Sequence, residues 1–354
     1  MVSATLSCMP TSSRRQAPSP IKAAPPIELR PCGDFVAWLD AAGGTLAVTT
    51  YNSGKLALLS APAGELVASY WSFPRPMGLA VAGSRLALAS RDHFWEFEIG
   101  PRREAANDNE KLQIVPNAVR WTGRLDAHDV AFDRRGALFA NTRFSCVARP
   151  SERVQFKRVW RPAFMREASP ALAVDCCHLN GIGVRAGRLE MATAFCERSE
   201  PAAWRAIDRF QSGALIDVLR DEVVARGLCL PHSPRWHAGN WWVCDSGRGT
   251  LCHFEPHAEA CESAIALPGF TRGLTFVDDR AVVGLSRIRK RHILDAPPVR
   301  DRWRRLRSGV SLVDWRRGAE TGALEFVRGG REVYDVAFLP GVTAAAFAAD
   351  SAGG

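Results

Sequence analysis

Pro231-His-Ser-Pro-Arg-Trp-His-Ala-Gly-Asn-Trp-Trp-Val-Cys-Asp-Ser-Gly247 is the stretch that decides the fold. It reads as a strand running through Arg235-Trp236, a tight turn over His237-Ala-Gly-Asn240, and a second strand from Trp241. The same phrase recurs along the chain. It returns as Pro76-Met-Gly-Leu-Ala-Val81, Ala127-His-Asp-Val-Ala-Phe132, His178-Leu-Asn-Gly-Ile-Gly-Val184, Thr271-Arg-Gly-Leu-Thr-Phe276 and Val333-Tyr-Asp-Val-Ala-Phe338. Second strands follow most copies, at Arg85–Ala89, Ala137–Ala140, Arg188–Ala192, Asn240–Cys244 and Arg280–Leu285. A repeat of about 50 residues built from such pairs points to a propeller, because a helical solenoid would show long 3.6-period stretches instead.

The two ends complete the count. The copy at Val333 has no strands after it, while Thr45–Tyr51, Lys55–Leu59 and Glu65–Trp71 read as three strands lacking an inner one. Joining them leaves no unpaired edge on the ring. The expected fold is therefore all-β, a six-bladed β-propeller closed by pairing the C-terminal strand with the N-terminal blade. Residues 1–28, rich in Ser, Pro and Ala, read as a disordered leader, 29–345 as one propeller domain and 346–354 as a flexible tail. Asp34–Ala42 reads as a short helix, and Asn141–Cys146 with Val159–Phe164 as a long excursion after the third blade.

Composition narrows the classes of function. An apolar fraction of 47% over 354 residues is enough to bury a core. The net charge of +9 is mostly arginine, concentrated between Arg287 and Arg307 and including Arg289, Lys290 and Arg291. That run lacks interleaved aromatics and reads as a solvated loop between the fifth and sixth blades, which argues against a nucleic-acid partner. Ten cysteines occur without a CxxC pair, and no apolar stretch approaches the length of a membrane span. Without a secretory signal, the expected address is cytoplasmic.

Aligning the repeats on their apolar runs brings out one position. It holds Met77, His128, Asn180, His232, Arg272 and Tyr334, with His178 two residues before Asn180. These lead residues should crowd one mouth of the channel. His128, His178 and His232 are candidate ligands of a divalent metal, zinc first among them, with a position left open for water or substrate. Arg272 would anchor a carboxylate, and Tyr334 and Asp129 would move protons. Asn180, Arg235 and Asn141 are further substrate-binding candidates. No organic cofactor is expected. The plain alternative is that each His bonds a neighbouring blade and closes the channel. Asp175 reads as a loop residue, and His237, His253, His257 and His292 fall in turns or outer segments.

Several phrases carry a resemblance: Cys177-His-Leu-Asn-Gly181, Gly227-Leu-Cys-Leu-Pro-His-Ser-Pro-Arg-Trp236, Asp245-Ser-Gly247, Leu267-Pro-Gly-Phe-Thr-Arg-Gly-Leu274 and Val283-Gly-Leu-Ser286. With Asn141–Cys146 and Tyr334-Asp-Val336 they resemble a bacterial family of conserved proteins of unknown function, from about Leu46 to Gly341. The resemblance implies a propeller and supplies no activity. The chain departs from the family pattern at Phe195–Arg205, where Cys-Glu-Arg-Ser-Glu-Pro-Ala-Ala precedes Trp-Arg. By analogy of residue type alone, the ring is similar to peptide-amidating lyases, with a zinc on three His beside Arg and Tyr. It is less similar to gluconolactonase-like calcium sites, because it has no Glu. The expectation is a metal-dependent lyase or hydrolase acting on a small polar or peptide-like substrate. The alternative is a non-catalytic propeller binding a protein or glycan through its rim.

Overall fold

The structure, a computed structural model, describes residues 22–101, 112–166, 173–255, 260, 262–287, 297–343 and 345–347. Six sheets, antiparallel except for one short edge strand, form the six blades of a propeller. The first blade joins Gly44–Thr50, Lys55–Ser60 and Val67–Ser72 to the innermost strand Val333–Pro340, with Ala337 opposite Ala47. The ring is thus closed by the two ends of the propeller. The other inner strands are Leu79–Ala82, Ala127–Asp133, Leu179–Arg185, Pro231–His237 and Phe270–Val277, each paired to the next strand in sequence.

Both faces of each blade pack on a neighbour, so the strands are apolar runs rather than alternating ones. Gly44–Thr50 is buried at every position. Six apolar clusters fill the six interfaces between blades; one joins Leu46, Val48 and Leu59 of the first blade to Val282, Leu312 and Phe326 of the sixth. The helix Phe35–Ala41 adds Phe35 and Leu39, one helical turn apart, to that same cluster.

The edges differ from the sequence expectation. Lys22–Ala23, inside the segment read as a leader, pairs with Val67–Ser72, and Glu28–Gly33 covers the outer edge of the sixth blade at Ala319–Arg328. In the tail, Ala346–Phe347 runs parallel to Leu112–Trp121, with the Phe347 ring buried against Phe97. Three exposed edges are thereby paired. Cys146–Arg149 and Lys157–Trp160 are the outer strands of the third blade, not an excursion. Arg287–Arg307 lies within the sixth blade, between its strands Arg280–Ser286 and Gly309–Asp314, not between two blades. Three of its described arginines are tethered: Arg287 and Arg305 bond Glu325, and Arg307 bonds Glu320. Arg289, Lys290, Arg291, His257 and His292 lie outside the described residues, as does most of the leader. No helix among the described residues is long and apolar enough to cross a membrane.

Around the axis the blades alternate. The residue after each lead residue is Asp335, Asp129 or Ser233 in the first, third and fifth blades and Gly78, Gly181 or Gly273 in the second, fourth and sixth. Each polar side chain accepts a backbone N–H from the following blade: Asp335 from Leu79, Asp129 from Ile182, Ser233 from Gly273. Each glycine in turn lets its blade approach the next one closely. A Cβ on Gly78 would stand 2.7 Å from the Asp129 backbone, and one on Gly273 2.7 Å from that of Asp335. The six blades behave as three pairs.

Arg235 of the fifth blade crosses the axis. Its Nη1 and Nη2 donate to both oxygens of Asp129 at 3.0 and 2.9 Å, Nη1 also to Ile182 O at 3.0 Å, and Nε to Leu274 O at 3.1 Å. Asp335 stands 3.8 Å from Nη2. Two buried carboxylates therefore share one guanidinium, which Asp129 holds bidentately. Burial, with Asp129 adding to it and Arg235 opposing, pushes the Asp335 carboxyl up to about 7. An acid whose folded value lies above its usual 3.8 keeps a proton that the unfolded chain releases, so its contribution to stability is lost as pH rises from about 4 through 7. Asp335→Asn should remove that slope, at a fixed cost because its amide would face one of the N–H groups of Leu79 and Val336. Urea midpoints of both proteins at pH 4.5, 6 and 8 check this, and parallel pH profiles would disprove it.

Candidate functional site

Five of the six inner strands carry a register shift at or next to the lead residue: Ala127/Val130, Leu179/Gly181, His232/Arg235, Thr271/Leu274 and Val333/Asp335. A bulge turns successive side chains apart, so one points to the mouth while the next serves the axis. Two residues before the lead position the chain is left-handed in four blades, at Arg75 (φ 48°), Asp126 (50°), His178 (51°) and Leu230 (54°). Non-glycine residues hold such values only where the surrounding structure enforces them.

That backbone kink fixes the histidines. Nδ1–H of His128 donates to Asp126 O at 2.7 Å and approaches Thr142 Oγ1 at 2.9 Å. The Thr142 hydroxyl gives its own proton to Leu179 O, so it presents a lone pair to the ring. His232 repeats the arrangement with Leu230 O and Ser246 Oγ, both at 2.9 Å, and Ser246 donates to Cys244 O. In each case the hydroxyl lies 14 residues after the imidazole. A carbonyl can only accept, so both rings carry their proton on Nδ1 and keep a lone pair on Nε2. Burial holds His128 and His232 well below the ordinary imidazole value, and the neighbouring imidazoles and Arg272 add to this. Both are neutral at pH 7. The third, His178, has its Nδ1 2.5 Å from Asp175 Oδ2.

The three imidazoles line one cavity of about 410 Å³ at the channel mouth, together with Arg272, Tyr334, Tyr51 and Arg75. Arg272 lies over the Tyr334 ring, its guanidinium carbon 3.3 Å from the centroid. Arg272 Nη2 and Tyr334 Oη are both buried and have no hydrogen-bond partner among the described residues. Burial pushes the Tyr334 hydroxyl well above its usual value, so it stays a donor. The mouth thus presents two unsatisfied donors and two neutral nitrogen acceptors.

The other expected site residues are elsewhere. Asp129, expected to move a proton, is bound to Arg235 and is not among the residues that line the mouth cavity. Arg235 lines a cavity of about 430 Å³ on the opposite side of the channel, with Leu79, Val130, Trp236 and Phe276, and is no substrate ligand at the mouth. Asn180 accepts from Thr193 at 2.7 Å, and Asn141 accepts from Phe144 N–H at 3.2 Å; both are fully buried and outside the mouth cavity. Nor do the imidazoles form one coordination sphere: among the described residues no three His, Cys, Asp or Glu side chains could hold a metal ion together. The packing explains this. His178 lies against Phe195 at 4.4 Å and Trp204 at 4.3 Å, and Phe195 also packs edge-on against His232 at 5.4 Å.

Sequence reasoning missed Asp175, Thr142, Ser246, Tyr51, Arg75 and Trp204. Thr142 and Ser246 were readable, since each directly follows the second strand of a His-bearing blade. Phe195, Trp204 and Arg205 bound the segment that departs from the family pattern, and all three line the mouth.

No curated protein matches the sequence. Among solved structures, the nidogen/laminin complex is similar over 84% of this chain and 99% of that one, with a TM-score of 0.50 and 11% identity. A Bacteroides caccae protein of unknown function aligns over 84% and 99% (TM-score 0.40, 8% identity). The computationally designed Ika8 protein aligns over 85% and 95% (TM-score 0.40, 9% identity). At such identity the likeness to the first concerns the fold alone. The family model described as a domain of unknown function (DUF4915) matches residues 33–347, which is nearly the whole propeller, and the chain belongs to that family.

Proposed function

We propose that the channel mouth binds a small molecule through a carboxylate and moves a proton on it. The observation that carries this reading is the pair of buried, unpartnered donors, Arg272 Nη2 and Tyr334 Oη, in one cavity. Arg272 is half-buried with one nitrogen, Nη2, shielded and unpartnered, and a ligand carboxylate would supply it with a charge-assisted hydrogen bond. His128 and His232, neutral and with Nε2 free for the cavity, suit the role of general base beside it. Thr142 and Ser246 are positioning residues that hold the tautomer. The reaction class is proton abstraction from, or water activation at, an acid-bearing substrate, which keeps a lyase or hydrolase in view. It does not route the chemistry through a metal held by all three imidazoles.

Calorimetric titration with formate, acetate and benzoate tests the binding. Arg272→Met should weaken carboxylates by about 10–100-fold, the value of a charged hydrogen-bonded contact. Tyr334→Phe should cost about tenfold or less. Binding that is indifferent to Arg272 would remove the reading and turn attention to the rim as a docking surface.

A further inference from the structure

We infer that the acid recognised at Arg272 is carried on a flat aromatic or heteroaromatic body, an inference that rests on the carboxylate reading above. Two walls of the mouth cavity support it. On one side Tyr51 and Tyr334 stack at 5.3 Å with 25° between their planes. This pair is flanked by guanidinium groups at both ends, Arg272 at 3.3 Å over Tyr334 and Arg75 at 5.7 Å over Tyr51. On the other side His128 stands edge-on to His178 at 4.8 Å and 85°, and His178 packs on Phe195 and Trp204. His232 continues this wall, edge-on to Phe270 at 5.6 Å. His128 also meets the tyrosine wall, 5.7 Å from Tyr334. Every one of these rings lines the cavity.

A belt of rings with mixed faces and edges favours a ligand that has a face and an edge of its own. An aromatic cage can also hold a cation, but two guanidinium groups already lie over the tyrosine pair, on the ring faces that a further cation would need. A flexible aliphatic acid would lose rotamer freedom without meeting the ring quadrupoles. About 410 Å³ has room for two fused rings and a carboxylate.

The experiment compares 2-naphthoate with decahydro-2-naphthoate, the same acid on a flat and on a puckered body, by calorimetry with the full chain. The flat acid should bind about tenfold tighter, or 1.4 kcal/mol. Tyr51→Leu, at a half-buried position, should lower that preference several-fold with little effect on the saturated acid. Equal affinities that still depend on Arg272 would overturn the aromatic inference and leave the carboxylate reading standing. Absence of binding by either acid, or binding unchanged in Arg272→Met, would overturn both.

Discussion

Arg235→Met is expected to destabilise the protein by about 3–5 kcal/mol, the usual cost of breaking a buried ion pair by removing one partner. The size follows from what the guanidinium touches. From the fifth blade it bonds Asp129 of the third bidentately, Ile182 O of the fourth and Leu274 O of the sixth, and it stands beside Asp335 of the first. Methionine fills part of the volume and supplies no donors. It leaves two carboxylates facing each other across the axis and two carbonyls unpaired. The Asp335 carboxyl is already pushed up to about 7, with Arg235 opposing that rise, so removing Arg235 should push it further and the deficit should grow as pH rises. Equilibrium urea denaturation at pH 6 and pH 8 measures both effects. Adding Asp129→Asn and Asp335→Asn should recover most of the pH-dependent part, because neutral amides need no counter-charge. A loss below about 1 kcal/mol, equal at both pH values, would show that the channel axis is not held by this charge.

The sequence made the ring legible because its signal is periodic. Strand pairs such as Arg85–Ala89 and Asn240–Asp245 fall where the repeat places them, and closure follows from the unpaired strands at the ends. The outer edges were not legible. Lys22–Ala23 and Glu28–Gly33 borrow their order from strands far along the chain, and a Ser/Pro/Ala-rich composition hides that. At the site, the lead position marked His128, His232, Arg272 and Tyr334 correctly as mouth residues. It could not separate His128 from Asp129, because of two neighbours at a bulge one points to the mouth and the other to the axis. Asp129 finds Arg235 106 residues away, and only the fold brings them together. Tyr51, Arg75 and Trp204 lie outside the aligned position. The aligned positions bring three imidazoles to one mouth, which is not by itself one coordination sphere. Phe195, which packs on both His178 and His232, marks the difference.

Gly273→Ala should be the most damaging single-methyl change on the axis, costing about 3 kcal/mol or more from two sources. Gly273 sits at φ +76°, where a Cβ is disfavoured by roughly 1–2 kcal/mol. Its new methyl would also meet the Asp335 Cα at 2.7 Å and Val336 N at 2.8 Å, backbone atoms that cannot swing aside, and such overpacking adds about 1–3 kcal/mol. Two controls separate the sources. Gly239→Ala, at φ +87° in an exposed turn with nothing within 4 Å, should show the backbone part alone. Gly78→Ala, whose Cβ would stand 2.7 Å from the Asp129 backbone without a positive φ, should show the close-approach part alone. The expected order of loss in chemical denaturation is Gly273, then Gly78, then Gly239. Arg272 adjoins Gly273, so the first variant should also weaken carboxylate binding, whereas Gly239→Ala should not. If Gly273→Ala cost no more than Gly239→Ala, the sixth and first blades could part at the axis without penalty. The alternation of polar side chain and glycine would then not be what sets the spacing of the blades. If the order holds, the same close glycine contacts that space the blades also place Arg272, Tyr334 and the two neutral imidazoles around one mouth.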